Sequence, residues 1–190
     1  MRLDEKLVRE GVISPNEKEI VRYGLEIIKD NIIGLSIILI LGGCLGYLIE
    51  SFFLWVIILP LRKNAGGYHA STRLKCILTS SGMFAFSCIV FLPMSASTNV
   101  HIVVSIIFWW IIFVEAPIES INKPLDKIEY KIYKKRTRII LLLEGALLVL
   151  ALFFQWEMVL KVLTINYFIV GGSLLAGKIS MRRKEITPLE

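Results

Sequence analysis

From Asn31 to Leu61 the chain runs for 31 residues with one charged side chain, Glu50. Runs of this kind recur at Cys76–Thr98, Val100–Ile118, Ile139–Phe154 and Val162–Ala176. Apolar blocks so long point to lipid as the solvent. Hydrophobic residues make up 55% of the 190, against roughly 45–50% in soluble domains. With no water in the hydrocarbon region to satisfy the backbone, such blocks are expected as helices. The fold class expected is therefore an all-α integral membrane protein, with one membrane domain over residues 1–190. The first 30 residues are mixed in charge and do not read as a signal peptide.

As one helix, the 31–61 run would be about 46 Å long, against roughly 30 Å of hydrocarbon. It is either a long tilted helix or a tight hairpin of two short ones. Gly42, Gly43 and Gly46 permit bending or close packing, and Tyr47 to Ser51 offers a turn. Charge favours the hairpin. Four basic segments, 1–30, 62–75, 119–138 and the tail 177–190, carry six, four, seven and four Lys/Arg, which is 21 of the chain's 22. Only Lys161 falls outside. A hairpin at 31–61 lets all four share the cytoplasmic side, as the positive-inside rule demands. About six membrane segments result, with both termini inside: hairpins at 31–61, 76–118 and 139–176. The short 51–61 stretch is the one that re-entry would also explain. The same rule accounts for the net charge of +6, so nucleic acid is not needed as a partner; the lipid bilayer is.

Residues 1–30 are amphipathic. Ser14-Pro15-Asn16-Glu17 has the form of a capping box. Beyond it Ile20, Tyr23, Gly24, Ile27 and Ile28 fall on one side, as in a helix lying along the membrane surface. Cys44, Cys76 and Cys88 are an odd number without framework spacing and do not read as disulfides. His101, near an uncharged turn, reads as a solvated or capping residue. Glu144 reads as snorkelling or pairing with a nearby Arg, and Glu115 equally as an ion-pair member or a site residue.

The polar island RKNAGGYHASTRLKC, Arg62 to Cys76, carries the chemistry. In a continuous helix His69 and Cys76 would stand about 10 Å apart along the axis, too far to bond. The Gly66-Gly67 pair argues against that helix, and Ser71 or Thr72 is a good N-cap for a helix entering the membrane. The loop from Ala65 to Ser71 should then be non-helical and fold His69 back toward Cys76, in the early turns of the helix. A cysteine there, with Arg73, Lys75 and His69 nearby, has its thiolate favoured by positive potential. A histidine in reach takes the thiol proton and returns it to a leaving amine. The glycines let backbone N–H groups approach a carbonyl oxygen, a candidate oxyanion hole. On spacing alone the pair reads more readily as incidental packing. One His and one Cys make a poor metal site, and neither a metal nor another cofactor is implied.

The pattern R-x3-GG-x-H-x6-C, as Arg62, Gly66, Gly67, His69 and Cys76, resembles the accessory gene regulator B (AgrB) family of quorum-sensing systems. Chain length, the amphipathic start, the motif after the first hairpin and the basic loop opened by APIESINKPLD extend the likeness over nearly the whole chain. The resemblance implies a membrane cysteine endopeptidase in a bacterial cell membrane. It would cleave the C-terminal part of a small AgrD-like precursor and close the remainder into a thiolactone or lactone autoinducing peptide. It also implies His69 and Cys76 as the catalytic pair, with Arg62, Gly66 and Gly67 in support, and a homodimer. The competing reading is a non-catalytic peptide exporter or transporter subunit; few intramembrane charges and no internal repeat speak mildly against it.

Overall fold

The computed structural model describes residues 3–68, 72–92, 98–119 and 125–186. Its α-helices are α1 (Leu3–Arg9), α2 (Lys18–Cys44), α3 (Leu48–Ala65), α4 (Arg73–Phe91), α5 (Thr98–Glu115), α6 (Lys127–Phe153) and α7 (Glu157–Ile186). A 3-10 turn, Pro15–Glu17, precedes α2. Among the described residues four helices, α2, α4, α5 and α7, are long and apolar enough to cross a bilayer. The chain is an all-α, multi-pass membrane protein. It divides into two compact units, Met1–Ile37 and Ile38–Glu190.

In the first unit the backbone N–H and the hydroxyl of Ser14 both donate to Glu17 Oε2, at 2.9 and 2.8 Å. These bonds, the backbone one foremost, hold the Glu17 carboxyl below the usual carboxylate range. The reach-back half of the expected capping box is thus present. The expected boundary near Asn31 is not a helix end. α2 passes through it without a break, because Asp30 and Asn31 are flanked by neither proline nor a C-capping glycine. Hydropathy marks where the surroundings of a helix change, and here the helix itself continues.

In the second unit α7 is the central element, packed against α3, α4, α5 and α6. Small residues make this geometry feasible. A Cβ on Gly171 would come within 2.7 Å of Phe108 Cδ1, and one on Gly172 within 2.8 Å of Met83 Cε. Close backbone approach is how helices gain contact when lipid tails are as apolar as leucine. Polarity is inverted accordingly. Ser51, Ser87, Ser105, Thr164 and Asn166 are buried, while Ile106, Trp110, Leu142, Leu143 and Val149 are exposed. The Ser105 and Thr164 hydroxyls pair at 3.0 Å, and Trp109 Nε1 donates to the Leu141 carbonyl at 3.0 Å.

A turn at Leu45–Tyr47 separates α2 from α3, earlier than the Tyr47–Ser51 expected. Gly46 takes a φ of 80° there, and Gly42 has no side chain to keep Ser51 away: a Cβ on Gly42 would overlap Ser51 Oγ. α3 is longer than the expected 51–61 segment; its 18 residues reach about 27 Å. The basic 119–138 segment, expected as a loop, is not loop throughout. From Lys127 it forms the first turns of α6, opened by a capping box between Asp126 and Glu129. The basic tail likewise continues α7 to Ile186. Lysine and arginine are good helix formers, so these helices outrun their apolar portions.

Two acid–base residues are not where the sequence suggested. Glu144 does not snorkel or pair with an arginine. It is buried and accepts from Asn166 Nδ2 at 2.9 Å, since α7 presents an amide at its level. His101 is not solvated. It is buried beside the Phe91 ring, at the end of the bundle where Lys161 Nζ donates to the Leu92 carbonyl. At the opposite end the Ile118 N–H donates to the Ala65 carbonyl at 3.0 Å, and the Arg138 guanidinium lies 4.8 Å from the Phe113 ring centre. There the close of α3, the close of α5, the early turns of α6 and the last third of α7 meet.

The Gly42–Ser51 contact predicts a compensating pair. Gly42→Ala should lower the thermal midpoint in detergent by several degrees, and Ser51→Gly in the same chain should restore part of it. Independent, additive losses would show that the contact does not set the turn.

Candidate active site

α3 ends at Ala65 because two glycines come next. Gly66 takes φ 74° and ψ −145° and Gly67 a φ of 123°, a half of conformational space that other residues enter at a cost. Space forbids side chains there as well. A Cβ on Gly66 would overlap the Ile118 carbonyl oxygen, and one on Gly67 would overlap Arg62 Nη1 and stand 2.8 Å from Ser173 Oγ. A parallel bridge pairs Gly66 with Ile118, fastening the start of the island to the segment after α5.

Arg62, in the last turn of α3, organises the polar loop beyond it. Its Nη1 donates to the Gly66 carbonyl at 2.7 Å and to Ser173 Oγ at 2.5 Å, and its Nη2 donates to the Tyr68 carbonyl at 2.9 Å. The planar five-donor guanidinium suits such a forked set; an ammonium does not. Tyr68 in turn donates its N–H to the Ser173 carbonyl at 2.9 Å. One turn further along α7, Gly177 admits the loop backbone: a Cβ there would stand 2.9 Å from Tyr68 N and 3.0 Å from Gly67 C. The next residue, Lys178, pairs with both carboxylate oxygens of Glu115 at 2.6 Å. Of the two readings of Glu115, the structure has the ion pair.

Helix resumes at Arg73 with Thr72 as N-cap, its hydroxyl accepting from the Lys75 N–H at 3.3 Å. This is one of the two caps the sequence offered. Cys76 lies in the first turn of α4, its N–H bonded to the Thr72 carbonyl at 3.0 Å. Its side chain is half-buried, and it lies within the electrostatic reach of the Arg62 guanidinium. All three thiols are free, Cys88 buried and Cys44 exposed. Among the described residues no cluster of three His, Cys, Asp or Glu side chains is placed to hold a metal ion.

Of the residues the sequence singled out, Arg62, Gly66 and Gly67 are brought together, and Cys76 is placed just beyond them. The island is not a continuous helix. His69, Ser71 and the fold-back of His69 lie outside the described residues, as does the Arg73 side chain. The oxyanion expectation is narrowed. The Gly66 N–H is spent on the Arg62 carbonyl and that of Tyr68 on Ser173. Ser173 and Gly177 are the participants that sequence reasoning missed. The signal available was a run of small residues, GGSLLAG, inside an apolar helix.

Comparison with known proteins adds to this geometry. The family model described as accessory gene regulator B matches residues 2–177. Two AgrB-like proteins of Clostridium perfringens are similar. That of strain SM101 is 28% identical over 91% of this chain and 79% of its own length. AgrB-like protein 2 of strain 13 is 33% identical over 89% and 79%. Protein FsrB of Enterococcus faecalis is 27% identical over 81% of this chain and 63% of its own. No solved structure matches the chain.

The loop geometry predicts that Gly66→Ala and Gly67→Ala each cost about 2 kcal/mol. Gly82→Ala in α4, where a Cβ meets nothing, should be neutral or stabilising. Thermal unfolding of the three variants in one detergent checks this ranking.

Proposed function

We propose, from the premise that this chain belongs to the accessory gene regulator B family, whose members process autoinducing-peptide precursors, that it is a cysteine endopeptidase using Cys76 and His69. Its substrate is a small AgrD-like precursor peptide, and its site faces the cytoplasm. The observation that carries the reading is the position of Cys76. It sits in the first turn of α4, immediately after a loop that Arg62 ties to α7. A nucleophile needs such a fixed position relative to the base that precedes it in the chain.

The reaction passes through a thioester. Cys76 Sγ attacks the scissile carbonyl carbon while His69 takes the thiol proton. The C–N bond breaks, His69 returns that proton to the leaving amine, and the N-terminal part of the precursor remains as a thioester on Cys76. A cysteine thiol or serine hydroxyl of the same precursor then attacks the thioester. The ring closes, and Cys76 leaves as thiolate and is reprotonated. Exchange of a thioester for a thiolactone nearly conserves acyl energy, whereas hydrolysis would discard it. Keeping water from the acyl-enzyme therefore matters, and a site at the boundary of an apolar bundle favours this. With the Gly66 and Tyr68 N–H groups engaged, the Gly67 N–H is, among the described residues of the loop, the backbone donor assigned to the oxyanion.

The finer topology belongs to the same proposal: six membrane segments with both termini inside, α3 and α6 joining the four strongly apolar helices. The clustering of the island, Lys178 and Arg138 at one end of the bundle supports it, with Lys161 at the other. A homodimer in a bacterial cell membrane is also part of this reading.

Mass spectrometry of the precursor co-expressed with this chain tests the function. Wild type should yield the cleaved, cyclised product, and His69→Ala and Cys76→Ser should leave the precursor intact. Full processing by Cys76→Ser would remove the covalent mechanism. An exporter would show no cleavage in any of the three.

A further inference from the structure

The hydroxyls of Ser36, Ser51, Ser87 and Thr164 each donate to the carbonyl four residues back on their own helix. This is the usual fate of a serine or threonine inside an apolar helix. Ser173 is turned elsewhere. Its hydroxyl lies 2.5 Å from Arg62 Nη1 and 3.2 Å from the Tyr68 nitrogen. Its main-chain carbonyl accepts from that same Tyr68 N–H at 2.9 Å. An intrahelical carbonyl and a buried hydroxyl are thus both committed to a loop more than a hundred residues away in sequence. The loop residue they hold, Tyr68, immediately precedes His69.

We infer that Ser173 is a positioning residue for the reaction proposed above: with Arg62 it fixes the backbone at Gly66–Tyr68, and so sets where His69 stands relative to Cys76. The inference rests on that functional reading. Gly177 is the second half of the device, since it lets α7 come close enough for Ser173 to reach. α7 therefore does more than fill the centre of the bundle; its second half is the surface against which the catalytic loop is formed. Small losses of register are expensive in such a site, because attack and proton transfer demand near-contact geometry.

The test is kinetic, on full-length protein in liposomes with a synthetic peptide of the precursor's sequence. Ser173→Ala should lower the single-turnover cleavage rate about tenfold at saturating peptide, with KM within twofold of wild type. Ser173→Thr, which keeps the hydroxyl, should recover most of the rate. Arg62→Lys should lose more, and adding Ser173→Ala to it should cost less than a further twofold, because the two side chains act through one contact. A Ser173→Ala rate within twofold of wild type, a loss confined to KM, or losses that multiply in the double variant would each overturn the inference. Should Ser173→Ala not give monodisperse protein, Gly177→Ala keeps the hydroxyl but displaces Tyr68. It should reproduce the same loss of rate at unchanged KM, and a wild-type rate there would overturn the inference. Cys76→Ala is run alongside. If it cleaves the peptide as wild type does, the functional reading fails, and that outcome is separate from anything the Ser173 variants show.

Discussion

A single guanidinium decides where the polar loop of this protein goes. Arg62 stands at the close of α3, where a helix leaves carbonyl groups without intrahelical donors. It bonds two carbonyls of the next stretch of chain and a hydroxyl on α7. Hydrogen bonds from a charged donor contribute about 1.5–3 kcal/mol each. Three of them suffice to hold two glycines in conformations that the free chain would visit only in passing. Without that cation, the turn after Ala65 would have little to choose one path over another, and Cys76 would have no fixed neighbour upstream. Lysine could keep the charge there but could not make the fork.

The rest of the bundle supplies Arg62 with something to bond to. In lipid there is no hydrophobic force between helices, so close contact relies on small residues and buried polar pairs. α7 has both. Its glycines admit Phe108, Met83 and the loop backbone, and its polar residues meet α5 at Thr164, α6 at Asn166 and the loop at Ser173. Asn166 and Ser173 are seven residues apart, hence on one face and about 10 Å apart along the axis. One helix thus serves both the interior of the bundle and its polar end.

Much of this was legible in the sequence, and the parts that were not have particular causes. The apolar blocks foretold the helices, and the Gly-Gly pair with Thr72 foretold a broken helix with Cys76 at the start of the next. Helix ends were misplaced wherever hydropathy stood in for helix length: α2 runs back to Lys18, and α6 begins at Lys127. The D-x-x-E pattern at Asp126–Glu129 would have located that second start. Glu144 reads in the sequence as snorkelling or arginine-paired, and His101 as solvated or capping, because nothing in one-dimensional spacing says which side of a helix faces a partner. The Arg62–Ser173 contact joins residues 111 positions apart, and no local pattern predicts such a pairing. The motif could name Arg62 but not the groups it holds.

The central claim is that Cys76 carries the precursor as a thioester. Intact-mass analysis of the protein tests it directly, after incubation with a precursor whose ring-closing Cys or Ser is replaced by alanine. The account predicts a mass gain equal to the N-terminal fragment of the precursor, located on Cys76, released by hydroxylamine and absent from Cys76→Ala. Cleavage of the precursor without any adduct, or with an adduct on another residue, would contradict it.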